Sequence, residues 1–142
     1  MENRIKDNRE LIDIAANARK KAYAPYSDYL VGAALLDKSG NVYTGCNIEN
    51  AAYTPTNCAE RTAFFKAVSE GVREFDKIAI VGAMKGIEKP DKCPPCGVCR
   101  QVMMEFCNPK TFKIILSDEK DNIYEYTLEE ILPMGFGPDN LK

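Results

Sequence analysis

Leu11, Ile14, Ala15, Ala18 and Ala22 recur at the three- and four-residue steps of an amphipathic helix. That helix is expected to end before Pro25, because the residue preceding a proline avoids the helical region. Tyr23–Asp28 reads as a loop. Leu30–Leu36 is apolar at successive positions, the pattern of a strand buried on both faces. Ser39–Gly40–Asn41 predicts a turn, with Val42–Cys46 as the hairpin partner. After an irregular polar stretch, a helix is predicted from Cys58 to Glu70, capped by Gly71. Lys77–Gly82 gives another buried strand, and Met84–Pro94 a loop. Pro95 suits the first turn of a helix that runs to Cys107, with Cys99, Met103 and Phe106 on one side. Phe112–Leu116 and Ile123–Tyr126 predict two more strands, followed by a short helix near Leu128–Leu132 and an irregular tail. Strands alternating with helices predict an α/β fold of three layers, α/β/α, in which a mixed sheet of roughly five strands is covered by helices. No repeat, linker or low-complexity tract divides the chain, so residues 1–142 are expected to form one domain.

Composition narrows the chemistry. The chain has six cysteines and no histidine. That excludes Ser-His-Asp and Cys-His catalysis and any imidazole metal ligand, so a metal would need thiolates, and protons would need a carboxylate, lysine or tyrosine. With a net charge of −2 and no basic run, the chain lacks an electrostatic grip on nucleic acid. Its charged start, Met1–Asp7, has no leader-like apolar core, and no apolar run is long enough to span a bilayer. A cytoplasmic protein with reduced thiols is expected.

Two motifs concentrate those thiols. Cys58–Ala59–Glu60 opens one predicted helix and Pro95–Cys96–Gly97–Val98–Cys99 opens the other. Cys96 and Cys99 fall on the same side of a first helical turn, and Cys58 would complete a set of three sulfurs. Zinc held by three protein ligands keeps its fourth position for water, the catalytic rather than the structural arrangement. Helix starts favour anions and lower thiol pKa values. Glu60 stands close enough to move protons without being a ligand. Cys93 leaves other groupings open: a four-sulfur structural zinc, a thiol–disulfide pair at Cys96 and Cys99, or an echo of an iron–sulfur run that lacks the Cys-Pro it would need. Cys46 and Cys107 read as packing residues.

These segments, together with Tyr26–Ala34, Asn47–Tyr53 and Leu132–Pro138, resemble the cytidine deaminase family of the small homotetrameric type, in family order and over nearly the whole chain. The resemblance implies one Zn²⁺ per chain on Cys58, Cys96 and Cys99, with Glu60 as proton shuttle. It implies hydrolysis of cytidine and deoxycytidine to uridine and deoxyuridine with release of ammonia, a step of pyrimidine salvage. It assigns Arg61 to a thiolate ligand and Asn47 and Glu49 to the ribose; of the Ala59 and Glu60 backbone N–H groups, unpaired at a predicted helix start, either offers a hold on the base carbonyl. Tyr29 stands where the family usually has phenylalanine beside the base. Tyr53 and Phe136 would reach a neighbouring subunit's site in a homotetramer. Cys93 matches no ligand of the family and reads as a spare thiol. Competing readings are a deaminase of another cytosine nucleoside of the blasticidin S type, a polynucleotide-editing deaminase, a structural zinc module and a thiol oxidoreductase. The missing histidine and basic groove argue against polynucleotide editing. The expected partner is a small nucleoside, not nucleic acid or membrane.

Overall fold

The computed structural model describes residues 7–142. The segment Met1–Lys6, the greater part of the charged start, lies outside the described residues. In chain order the elements are α1 (Asn8–Arg19), β1 (Tyr29–Asp37), β2 (Val42–Cys46), α2 (Ala59–Ser69), β3 (Phe75–Met84), α3 (Gly97–Phe106), β4 (Lys113–Ser117), β5 (Ile123–Thr127) and α4 (Leu128–Ile131), with a 3₁₀ turn at Pro138–Leu141. The five strands form one mixed sheet in the order β2-β1-β3-β4-β5. β3 and β4 pair in parallel, and every other neighbouring pair is antiparallel. This is the expected α/β/α arrangement.

Strand alternation divides the core. Leu11, Ile12 and Ala15 of α1 pack on Ala34, Leu36, Ala79, Val81 and Ile115 on one face. Ala63, Phe64 and Ala67 of α2 and Cys99 and Met103 of α3 pack on Ala33, Leu35, Ile78, Ile80 and Ile114 on the other. Two glycines let helices seat directly on strands. A Cβ at Gly32 in β1 would lie 2.0 Å from the Ala15 carbonyl oxygen of α1, and one at Gly45 in β2 would lie 2.3 Å from the Ala59 carbonyl oxygen of α2. Backbone fills the space a side chain would need, so each helix height is set by a missing methyl.

Three expectations shift. The first helix stops at Arg19, so Ala22 is outside it and Ile12 is buried in place of Ile14. The Arg19 guanidinium turns to the sheet and donates to the carbonyls of Leu30, Ala83 and Met84. The Tyr23 N–H then donates to the Asn47 carbonyl, which pulls the chain out of the helical path. Pro95 precedes the cap of α3 instead of occupying its first turn, because the Cys96 sulfur takes the Cys99 N–H and makes Cys96 the N-cap. Most strands extend by a residue or two beyond the predicted ends.

Candidate metal centre and active site

Both thiol motifs sit where helices begin on the same face of the sheet. Cys58 is the N-cap of α2, and its first turn is bolted to β2: Thr62 Oγ1 donates to the Cys46 carbonyl at 3.1 Å and accepts from Asn57 Nδ2 at 3.1 Å. Cys96 caps α3, and Cys99 lies one turn in, buried against the core. The Cys58 and Cys96 sulfurs are 3.7 Å apart, and those of Cys96 and Cys99 are 3.5 Å apart. All three fall within 4.8 Å of one another, forming the one such metal-ligand cluster among the described residues. Cys93 is outside it, so the four-sulfur grouping is not formed.

The electrostatics suit a cation. Hydrogen bonding from Cys99, then from Arg61 and Cys96, outweighs burial and brings the Cys58 thiol down to about 5. The same bond to Cys58, with burial, pushes the Cys99 thiol up. Arg61 donates to Cys58 Sγ at 3.3 Å, while its Nε is buried without a partner among the described residues. Burial opposes the arginine's charge, yet hydrogen bonds to Cys58 and Cys99 hold its pKa above the usual value. Three thiols converging on one point, with two helix starts and a guanidinium offsetting their charge, fit zinc, a borderline-soft ion that prefers tetrahedral sulfur and nitrogen ligands.

Glu60 is 4% exposed, in the first turn of α2. Burial, the largest cause, pushes its carboxyl up to about 7. A cavity of about 210 Å³ is lined by Cys58, Ala59, Glu60, Cys96, Cys93, Val31, Asn47 and Thr56 among others. Thr56 also lines a second cavity of about 350 Å³ with Tyr26, Ser27, Glu49 and Tyr53. The two adjoining spaces suit a base beside the carboxylate and a polar appendage beyond it. A larger cavity of about 520 Å³ lies between the end of α3 and the tail, among residues that take no part in the sulfur cluster.

The remaining predicted residues take varied positions. Asn47 accepts from the Val31 N–H and donates to the Tyr29 carbonyl, both at 2.8 Å. Glu49 accepts from the Tyr26 and Ser27 N–H groups and the Ser27 hydroxyl, which holds its carboxyl below the usual range. Both side chains therefore brace the Tyr26–Tyr29 loop. Tyr29 opens β1 beside Cys93 and is not among the residues lining either cavity. Tyr53 is 70% exposed, on a left-handed backbone, with its ring edge-on to Tyr26. Phe136 is exposed on the tail, and Gln101 donates to its carbonyl at 2.7 Å. Arg100, given no role from sequence, donates to the Pro95 and Ile131 carbonyls and so ties the α3 start to α4. Its adjacency to the second motif was the available signal.

Comparison with known proteins places these features in context. Residues 5–115 match the model of the cytidine and deoxycytidylate deaminase zinc-binding region. A cytidine deaminase of Sporosarcina psychrophila is 50% identical over 135 residues, covering 95% of each chain. A cytidine deaminase of Halalkalibacterium halodurans is also 50% identical over 135 residues, covering 95% of this chain and 98% of the relative. Among solved structures, cytidine deaminase from Burkholderia pseudomallei aligns with a TM-score of 0.83 at 44% identity, over 92% of this chain and all of that one (100%). The Mycobacterium tuberculosis cytidine deaminase aligns with a TM-score of 0.78 at 35% identity, over 93% and 98%.

Proposed function

This chain belongs to the cytidine and deoxycytidylate deaminase family, and on that premise we propose that it hydrolyses cytidine and deoxycytidine to uridine and deoxyuridine, releasing ammonia. The observation that carries the reading is the cluster of three sulfurs from two helix starts with a buried carboxylate in the first turn of α2.

Cys58, Cys96 and Cys99 would hold zinc. When bound, zinc supplies a Lewis acid that acidifies water and so provides a nucleophile at neutral pH. Glu60 takes a proton from the water that adds to C4 and gives it to ring nitrogen N3 of the base; it then takes the proton of the new C4 hydroxyl and gives it to the amino group, which leaves as ammonia when the C4–N bond breaks. Its enclosure keeps bulk water from competing for those protons. Arg61 offsets the negative charge of three thiolates through its bond to Cys58. The Ala59 and Glu60 N–H groups, which the helix itself cannot satisfy at its start, bind the base carbonyl. Tyr29, which lines neither cavity, acts on the base through Cys93, its neighbour in the cavity wall. Asn47 and Glu49, oriented by their own-chain bonds, retain donor and acceptor capacity for ribose hydroxyls.

The reading extends to a homotetramer in which Tyr53 and Phe136 complete a neighbour's site. Exposed Tyr53, Met134 and Phe136 support it, as large apolar side chains on irregular segments. A cytoplasmic setting in pyrimidine salvage accompanies it, supported by six cysteines without a disulfide. No helix among the described residues is long and apolar enough to cross a membrane.

The test is an assay of the purified chain for zinc content and for cytidine-to-uridine conversion, before and after chelation. One zinc per chain with chelator-sensitive turnover is expected. Stoichiometric zinc with no turnover of any cytosine nucleoside overturns the reading.

A further inference from the structure

The loop that follows β3 brings a fourth cysteine to the pocket without joining the metal ligands. Cys93 lines the same cavity as Glu60, Cys58 and Cys96, yet its sulfur is outside the cluster of three. Its position is set from across the sheet. A Cβ at Gly82 of β3 would lie 2.6 Å from Cys93 Sγ, and 3.1 Å from both Tyr29 Cε1 and Val31 Cγ2. Gly82 is thus a notch in the strand, filled by the sulfur, the tyrosine ring and a valine methyl. Tyr29 and Gly82 come from adjacent strands, β1 and β3, whose register runs Tyr29↔Met84 and Val31↔Gly82. The Tyr29 ring and the Cys93 sulfur thus meet in one notch, and a tyrosine there brings a hydroxyl that a phenylalanine would not. Burial first, and the neighbouring Cys93 second, push the Tyr29 phenol up to about 12. Lys92, the preceding residue, reaches the opposite way: its Nζ is 3.8 Å from the Tyr124 ring centroid and 2.8 Å from the Tyr126 hydroxyl. Consecutive side chains therefore pin this loop to β5 on one side and to β1 and β3 on the other.

We propose that Cys93 is a positioning residue of the nucleoside pocket, seated beside the Tyr29 ring in the Gly82 notch so that its thiol forms one wall of the cavity Glu60 lines and sets the width open to a pyrimidine ring. The proposal rests on the deaminase reading of the same site. It differs from a ligand role, since metal retention does not depend on Cys93, and from a packing role, since its effect falls on KM.

Two measurements test it on the zinc-loaded protein. The first maps iodoacetamide labelling of Cys93 by peptide mass spectrometry, with uridine as the pocket ligand and Cys46, in a separate cleft beside Lys66, as internal reference. Saturating uridine is expected to slow Cys93 labelling about fivefold or more and leave Cys46 unchanged. Tyr29→Phe, which takes the hydroxyl away from the thiol's neighbour, is expected to speed Cys93 labelling severalfold. The second is kinetic. Cys93→Ala is expected to keep one zinc per chain and a nearly unchanged kcat, with KM for cytidine raised about fivefold, the worth of one polar contact. Cys93→Ser, which keeps a polar group there, is expected to restore most of that loss. Adding Tyr29→Phe to Cys93→Ala should cost little more than the worse single change, since both remove one contact. Zinc loss in Cys93→Ala, an unchanged KM, or additive losses overturn the proposal. Turnover of cytidine with no uridine protection of Cys93 overturns it alone. A wild-type chain that turns over no cytidine overturns it together with the deaminase reading.

Discussion

The two helix starts that share the site are built in opposite ways. α2 begins dry: Ala59 is fully buried, Glu60 nearly so, and the backbone of the first turn rests on Gly45 with no side chain between. α3 begins wet: Cys96 and Val98 are exposed, and the turn is held from a distance by Arg100 on two carbonyls and by Lys92 on two tyrosines. The difference follows from what each end must do. A carboxylate that moves protons needs a fixed, water-poor wall before anything binds. The exposed Cys96 sulfur can be held by looser polar ties, because a metal fixes its geometry once it arrives.

The strongest way to break this contrast is Cys58→Ala, which removes the single sulfur supplied by the dry side. Metal analysis after gel filtration is expected to show zinc lost, and turnover with it; retention of one zinc per chain would mean that the α3 pair suffices. Glu60→Gln leaves all three sulfurs in place, so zinc should remain while turnover falls about 10²- to 10⁴-fold. Loss of zinc in that variant would make the carboxylate part of the metal shell.

Gly45→Val and Gly32→Val sharpen the contrast, because each drives a side chain into helix backbone, α2 in one case and α1 in the other. Both should lower unfolding free energy in urea by about 1–3 kcal/mol or more. Only Gly45→Val should also lower kcat of the folded protein, since α2 carries Cys58 and Glu60. Equal kcat losses in the two variants would show that the site senses general loosening and not the height of α2. The smallest effect is expected from Lys92→Met. Loss of an exposed cation–π contact should leave unfolding in urea nearly unchanged, while zinc release to a chelator should quicken severalfold with kcat unchanged.

The sequence carried much of this. Periodicity located every helix and strand, and paired motifs at two predicted helix starts announced the sulfur cluster before their distance was known. What stayed hidden depends on contacts between residues far apart in the chain. Gly32 and Gly45 look like any strand glycine until the helix backbone above each is seen. Ala22 continues the apolar period of α1, but Tyr23 pairing with residues 47 and 48 takes it away. Cys93 sits at a ligand-like interval from Cys96, and only Gly82 and Tyr29 show that its sulfur is engaged elsewhere. Pro95 satisfied a general positional preference, whereas the cap was decided by a sulfur accepting an N–H.

The parallel β3–β4 pairing bears on how the chain acquires its metal. Cys58 precedes β3, and Cys96 and Cys99 lie in the crossover that joins β3 to β4, so the cluster closes only when Cys58 meets a sulfur 38 residues away in sequence. Hairpins such as β1–β2 and β4–β5 close early because their loops are short, while a parallel crossover is intrinsically slow. The binding centre is therefore among the last things to exist as the polypeptide folds. A nascent chain passes through an interval of reduced, unpaired thiols, and refolding yield should depend on whether zinc is present during that interval and not merely afterwards.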